Sequence, residues 1–262
     1  VPNARVLFDT VDLHYLRERR AAELAGDAAA MRAAMRTRDL ELALIHEADA
    51  TLVVSEVERA LLAIDATGAD VRVLSNLHRE TPPGPAWSQR DGLLFVGGFR
   101  HPPNVDAVLW FVREVFPRIR ATRPDMQFHC VGGDVPNEIA RLADVDGVHI
   151  HGHVPDLQPL LDGARVSIAP LRYGAGVKGK VNQAMAHGLP VVATTCAVEG
   201  MHLRDGEDVL VADDATTFAD ATLRLHDDEV LWSMLAANGR ANVAAHFSLD
   251  AARATVREVF LG

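Results

Sequence analysis

The 262-residue sequence reads as an α/β protein with parallel sheets, on three observations. Apolar runs such as ARVLFDT, TLVVS and PVVAT lack sustained polar alternation, the mark of strands buried on both faces. Helical stretches separate them: residues near 16–48 with a break at Gly26 and Asp27, then EVERALLAI, and finally FSLDAARATVREVFLG. Glycine-rich turns lead from strand to helix, above all RYGAGVKGK before QAMA.

Taken in order, ARVLFDT, the long helical stretch, TLVVS, EVERALLAI and a last strand VRVLSN fill residues 1–80. That is too little for a complete Rossmann half, so a partial first Rossmann-like domain is expected. The chain opens on Val1 rather than Met, and the expectation is a piece of a longer polypeptide whose missing segment is a partner. TPPGPAWSQRDG, residues 81–92, is a Pro-rich linker and hinge candidate. A second Rossmann-like domain follows over residues 93–247, and Ser248 caps a final amphipathic helix over residues 248–262.

Residues 172–200 carry the chemistry. Gly174 and Gly176 admit close backbone approach, while Lys178 and Lys180 place cations where a helix begins. Unpaired amides and the helix dipole there favour an anion, and a diphosphate suits the loop. Gln183 lies one turn on, and Val181, Ala184, Met185 and Leu189 form a buried stripe. Gly188 caps the helix and Pro190 opens the next strand. Residues 194–200 then fall outside the strand's carboxyl end, where α/β sheets bind ligands. A blander reading stands beside this one: glycines and proline as punctuation, with both lysines solvated.

On QAMAHGLPVVATTCAVEG the chain resembles the C-terminal donor domain of the retaining GT-B glycosyltransferases of the large "glycosyl transferases group 1" family. The resemblance extends through GLLFVGGFRHPPNVDAVLWFVREVFPRIRATRPDMQFHCVGG and VHIHGHVPDLQPLLDGARVSIAPLRYGAG, from about residue 91 to 248. It implies a GT-B fold and transfer of a hexose from a UDP- or GDP-sugar to a saccharide or lipid-linked acceptor, with retention. No cofactor or metal beyond the donor is implied. Gly97 and Gly98 would admit the phosphates, with Tyr173, Gly174, Gly176 and Glu199 in the donor loops. His153 and Val154 fall in the base-contacting loop, and Gln183 would face the ribose. Lys178, Lys180 and Arg100 would stabilise the leaving group, and the last helix would cross back to the first domain.

The departures are specific. The family's two glutamates, eight residues apart, are Ala175 and Gln183 here, and Gly98 and Asn104 stand where relatives carry an arginine and a lysine. Weaker nucleotide affinity is the expected result, and an incomplete GT-B module that binds a nucleotide sugar or a partner protein without catalysis is the alternative. Val11 occupies the place of a sugar-contacting histidine, with Asp12 and His14 close by. The alternative for those two is an Asp12 that caps the next helix and a His14 at the surface.

A net charge of −10 argues against general nucleic-acid binding. No apolar run approaches the roughly 20 residues of a membrane span, so a cytoplasmic location is expected. Arg17, Arg19, Arg20, Arg32, Arg36 and Arg38 would either meet anionic lipid at the inner membrane face or form a solvated face paired with Glu18, Glu23 and Asp39. His149, His151 and His153 have zinc-compatible spacing without a convincing fourth ligand. Cys130 and Cys196, the two cysteines, make no disulfide framework.

Overall fold

The computed structural model describes residues 4–79 and 81–260; the outer ends expected for the first domain and the last helix, at residues 1–3, 80 and 261–262, lie outside them. The first sheet holds β1 (Leu7–Asp9), β2 (Ala50–Val53) and β3 (Val71–Val73), all parallel and in that order. A helical hairpin, α1 (His14–Ala25) and α2 (Ala28–Glu47), joins β1 to β2, and α3 (Glu56–Asp65) joins β2 to β3. The break between α1 and α2 has a clear cause. Gly26 takes φ 64°, which an L side chain resists, and Asp27 then accepts from the N–H groups of Ala29 and Ala30 to start α2.

Asp12 does not cap α1. Glu41, reaching across from α2, accepts from the N–H groups of His14 (3.0 Å) and Tyr15 (2.7 Å), while Asp12 pairs with Arg17. His14 is half exposed and directs its ring to Glu41.

Beyond β3, a short 3₁₀ turn (Trp87–Gln89) leads to β4 (Leu93–Val96). Then follow α4 (Pro102–Trp110), a π-helical turn (Phe111–Val115), α5 (Phe116–Thr122), β5 (Phe128–Val131), α6 (Asn137–Ala140) and β6 (Val148–Gly152). The chain continues through α7 (Gln158–Gly163), β7 (Val166–Ala169), α8 (Gly179–Ala186), β8 (Val191–Ala193), α9 (Thr195–Val198) and β9 (Leu210–Val211). Three helices close it: α10 (Ala215–Asp227), α11 (Glu229–His246) and α12 (Leu249–Phe260).

The second sheet is parallel throughout, in the order β6-β5-β4-β7-β8-β9. The chain therefore enters at the middle, winds outward through β5 and β6, and returns to the other flank of β4 with β7. Connections after β4 and β7 leave in opposite directions, so a crevice opens between them. Phe95, Phe111, Phe116 and Phe128 are fully buried in the core beneath it. On α8 the expected stripe of Val181, Ala184, Met185 and Leu189 is buried, and the end is a Schellman motif: Leu189 N–H bonds to Ala184 O and Gly188, at φ 64°, to Met185 O.

Residues 81–92 lie on the second sheet's layer. Thr81 donates to Ala186 O (2.6 Å), and Arg90, 1% exposed, donates to the carbonyls of Pro85, Leu161, Ala164 and His187 with its guanidinium over Trp232. At the far end α12 returns to the first sheet, where Arg5 donates to Val259 O and Arg72 lies 3.2 Å from Glu258. Ser248 accepts from Ala251 N–H at the start of α12. Because a buried guanidinium serves four carbonyls here, Arg90→Met is expected to lower stability by about 3 kcal/mol. Arg100→Met, at a side chain 85% exposed, should change it by less than about 0.5 kcal/mol. Urea midpoints of the two variants check the difference.

Candidate functional site

The crevice between β4 and β7 faces the carboxyl ends of the first sheet, and a cavity of about 190 Å³ lies there. Val11, Asp12 and Asn76 line it from one side, and His101, Asn104, Lys178 and Lys180 from the other.

Its floor is the turn after β4. Asn104, 5% exposed on the first turn of α4, donates to Gly98 O (2.7 Å) and accepts from the Lys180 ammonium. That ammonium also sits 4.4 Å from the centre of the Phe95 ring. Gly97 leaves these two side chains their room: a Cβ there would fall 2.8 Å from Lys180 Nζ and 2.9 Å from the Asn104 amide and displace them. Enclosure, with a smaller contribution from Lys178, lowers the Lys180 pKa to about 7.

Lys178 behaves differently from Lys180. It is 7% exposed, and its ammonium turns back to donate to Ala175 O (3.1 Å) and Gly176 O (2.6 Å). Burial holds its pKa below the usual lysine value. It braces its own loop, whereas the sequence had it beside Lys180 as a phosphate ligand. Gly174 and Glu199, expected among the donor contacts, are both engaged by α1. Arg20 donates to Gly174 O (2.7 Å) and grips both oxygens of Glu199 (2.7 and 2.8 Å). Hydrogen bonding to Glu199 raises the arginine's pKa. Gly176, at φ 69°, also serves the contact between sheets: a Cβ there would meet Asp12 Cβ at 2.9 Å and Val11 O at 3.3 Å.

Val11 takes φ 59°, a conformation a β-branched residue adopts only when its surroundings impose it, and it stands at the cavity beside Asp12. His101 shares the cavity. Burial first, then the charges of Arg17, Lys180 and Lys178, lower its pKa, against Asp12. Sequence reasoning did not single out His101 or Asn76, and it put Arg20 on a lipid-facing or solvated helix face rather than at Gly174 and Glu199. His101 sits next to Arg100 in the turn after the glycines, which was a usable signal; Arg20 meets Glu199 only in space.

Other expected site residues are elsewhere. Arg100 points to solvent and pairs with Asp134 (3.0 Å). Tyr173 lines a separate, larger hollow with Arg172, Asp106 and the α1 residues Leu24 and Ala25. His153 is exposed in the loop after β6, with Val154 half-buried against the core, and Gln183 is half-buried on α8. None of these lines the cavity. Nothing lies within 4 Å of a Cβ built on Gly98, so the turn is open there.

His149 and His151 share one exposed sheet face, but their third member is His129 rather than His153. His129 Nδ1 and His151 Nε2 are 2.9 Å apart, and His149 bonds Gln127. Among the described residues no group of His, Cys, Asp and Glu is placed to hold a metal ion, and no helix is long and apolar enough to cross a membrane. The arginines of α1 and α2 sort themselves: Arg17, Arg20 and Arg38 pair with Asp12, Glu199 and Asp65.

Two parallel sheets facing across a cleft, the second with its glycine turns at the switch point, define a GT-B protein. Residues 90–228 match the family described as "Glycosyl transferases group 1", and the chain belongs to that family. A curated relative, an uncharacterized 44.6 kDa protein in the cps region of Klebsiella pneumoniae, is 30% identical over 136 residues, 48% of this chain and 35% of its own length. The match thus spans about a third of that relative. Among solved structures the chain is similar to S. aureus TarM, described in complex with fondaparinux, alpha-GlcNAc-glycerol and UDP (TM-score 0.75, 16% identity, 87% of this chain and 47% of that one). It is also similar to sucrose-phosphate synthase from Thermosynechococcus elongatus (TM-score 0.74, 20% identity, 97% and 67%).

The Arg20 grip joins the two halves of the molecule at the loop after β7. Arg20→Ala should therefore speed amide exchange across residues 172–176 by about tenfold while leaving the β4–β5 core unchanged. Hydrogen exchange followed by mass spectrometry checks this.

Proposed function

We propose that this chain transfers a hexose from a UDP- or GDP-linked donor to a saccharide or lipid-linked acceptor, with retention, in the cleft between its two sheets. One observation carries the reading: the Lys180 ammonium, the glycine turn at Gly97 and Gly98, and the N-terminus of α8 converge at the switch point of a group 1 glycosyltransferase fold. A diphosphate placed there meets a cation, open backbone and unpaired helix amides together.

The geometry supports a division of labour. Lys180 faces the phosphates and offsets charge as the nucleotide diphosphate leaves. Lys178 keeps the loop in shape by satisfying its carbonyls. Asp12 and His101, from opposite sides of the cavity, are the groups available to the sugar and the incoming hydroxyl. Gln183, with one acceptor oxygen where the family has a carboxylate, is proposed to receive a ribose hydroxyl bond without the added charge. His153 and Val154 remain proposed base contacts. TarM's UDP complex and the cps-region setting of the Klebsiella relative support a nucleotide-sugar donor and a role in polysaccharide assembly. A place at the inner face of the membrane and a longer polypeptide around this chain belong to the same proposal.

Calorimetry with UDP, GDP and their hexose conjugates tests it. One nucleotide is expected to bind in the micromolar range, and Lys180→Ala to weaken it at least about tenfold, the worth of a lost charge-assisted contact. Absence of binding by every nucleotide would overturn the assignment.

A further inference from the structure

Building on the donor site proposed above, we infer that Asn104 is a positioning residue: it aims the Lys180 ammonium at the turn after β4, so that the contact between α4 and α8 makes the diphosphate subsite. Lysine has a flexible four-carbon stem and does not by itself hold its charge at one point. Asn104 restricts it. Its Nδ2 donates to Gly98 O (2.7 Å), which fixes the amide's orientation and leaves Oδ1 as the acceptor facing Lys180. The reverse orientation would set an amide NH₂ against the ammonium. Asn104's own N–H bonds His101 O (2.9 Å), and the side chain is buried. Gly97 supplies the room, since a methyl group there would collide with both partners.

The neighbours explain why an amide suits this position. Around the Lys180 ammonium lie the Phe95 ring on β4, the Asn104 amide on α4, His101 just before that helix, Lys178 at the mouth of its own helix and Cys130 on β5, with Asp12 lining the same cavity from the first sheet. Burial pushes the Cys130 thiol up to about 12, so it carries no charge at neutral pH. Among the described residues no carboxylate is hydrogen-bonded to Lys180, and its pKa falls to about 7. A phosphate bound there would supply the missing negative charge and draw the proton back. An aspartate at 104 would satisfy the lysine in advance and repel the phosphate.

Proton linkage gives the test. A group with a pKa near 7 when free and higher when bound takes up a proton on binding, so affinity falls as pH rises, by up to about tenfold per unit. We would titrate UDP and GDP into the whole chain between pH 6.5 and 9, in two buffers of different ionisation enthalpy. Wild type is expected to take up close to one proton above pH 7, and Lys180→Met to lose both the uptake and the fall. Asn104→Ala should weaken binding about tenfold at pH 7 and shift the fall to lower pH, because the ammonium has lost its acceptor. Asn104→Asp should shift it to higher pH, and Asn104→Ser should return it part of the way from the alanine variant. If the alanine variant does not fold, the aspartate and serine variants carry the comparison. A fall that stays at the same pH in all folded Asn104 variants, or persists in Lys180→Met, overturns the inference while the donor site stands. If wild type binds neither nucleotide, both fall together.

Discussion

The cleft depends on how closely the carboxyl ends of two parallel sheets can approach. Gly176 and Gly200 make that approach possible. Each has a positive φ, and at each the space a side chain would need is held by the first sheet's loops: Asp12 and Val11 at Gly176, and Ser55, whose Cβ lies 2.6 Å from a Cβ built at Gly200. A methyl group at either place would force the two halves apart. Arg20 then ties across the contact to Glu199 and Gly174. What looked in the sequence like space for a ligand is largely space for the other half of the protein.

The buried cations Arg90 and Lys178 are held by backbone oxygen, and Lys180 by a side-chain amide. Arg90 meets four carbonyls and Lys178 two. Neutral acceptors satisfy a buried donor without cancelling its charge. At Arg90 this holds a crossing segment in place. At Lys180 it leaves a positive charge able to respond to an anion, and the same chemistry becomes useful at the cavity.

Much of the fold was legible because it follows from local pattern. The strands appear as apolar runs, Gly26 and Asp27 mark the hairpin break, and the α8 stripe and its Gly188 end match the periodicity. The position of the glycine turn after β4 and of Lys180 was also readable. What could not be read was pairing through space. Nothing near Glu41 in the sequence says that it caps α1, and Glu199 lies 179 positions from the arginine that holds it. Lys178 and Lys180 are two residues apart on a loop running into a helix, so their side chains diverge, and only the fold decides which one turns inward. Arg100 was placed by analogy with a cation near the first turn, and it faces solvent because Asn104 and Lys180 already occupy the inner side.

Val11 carries a consequence of its own. A β-branched residue at φ 59° costs about 1–3 kcal/mol of backbone strain. Its carbonyl lies 3.3 Å from the position a Cβ on Gly176 would take, and the neighbouring Asp12 is fastened to Arg17. The conformation is held by its own half of the chain, where Asp12 N–H donates to Thr10 O (2.6 Å) and Val11 N–H to Asp9 Oδ1 (3.2 Å), and the Gly176 loop packs against the result. The first sheet's loop therefore offers the glycine loop a shape set beforehand, so the two halves meet less as beads on a string than as a key and a lock already cut.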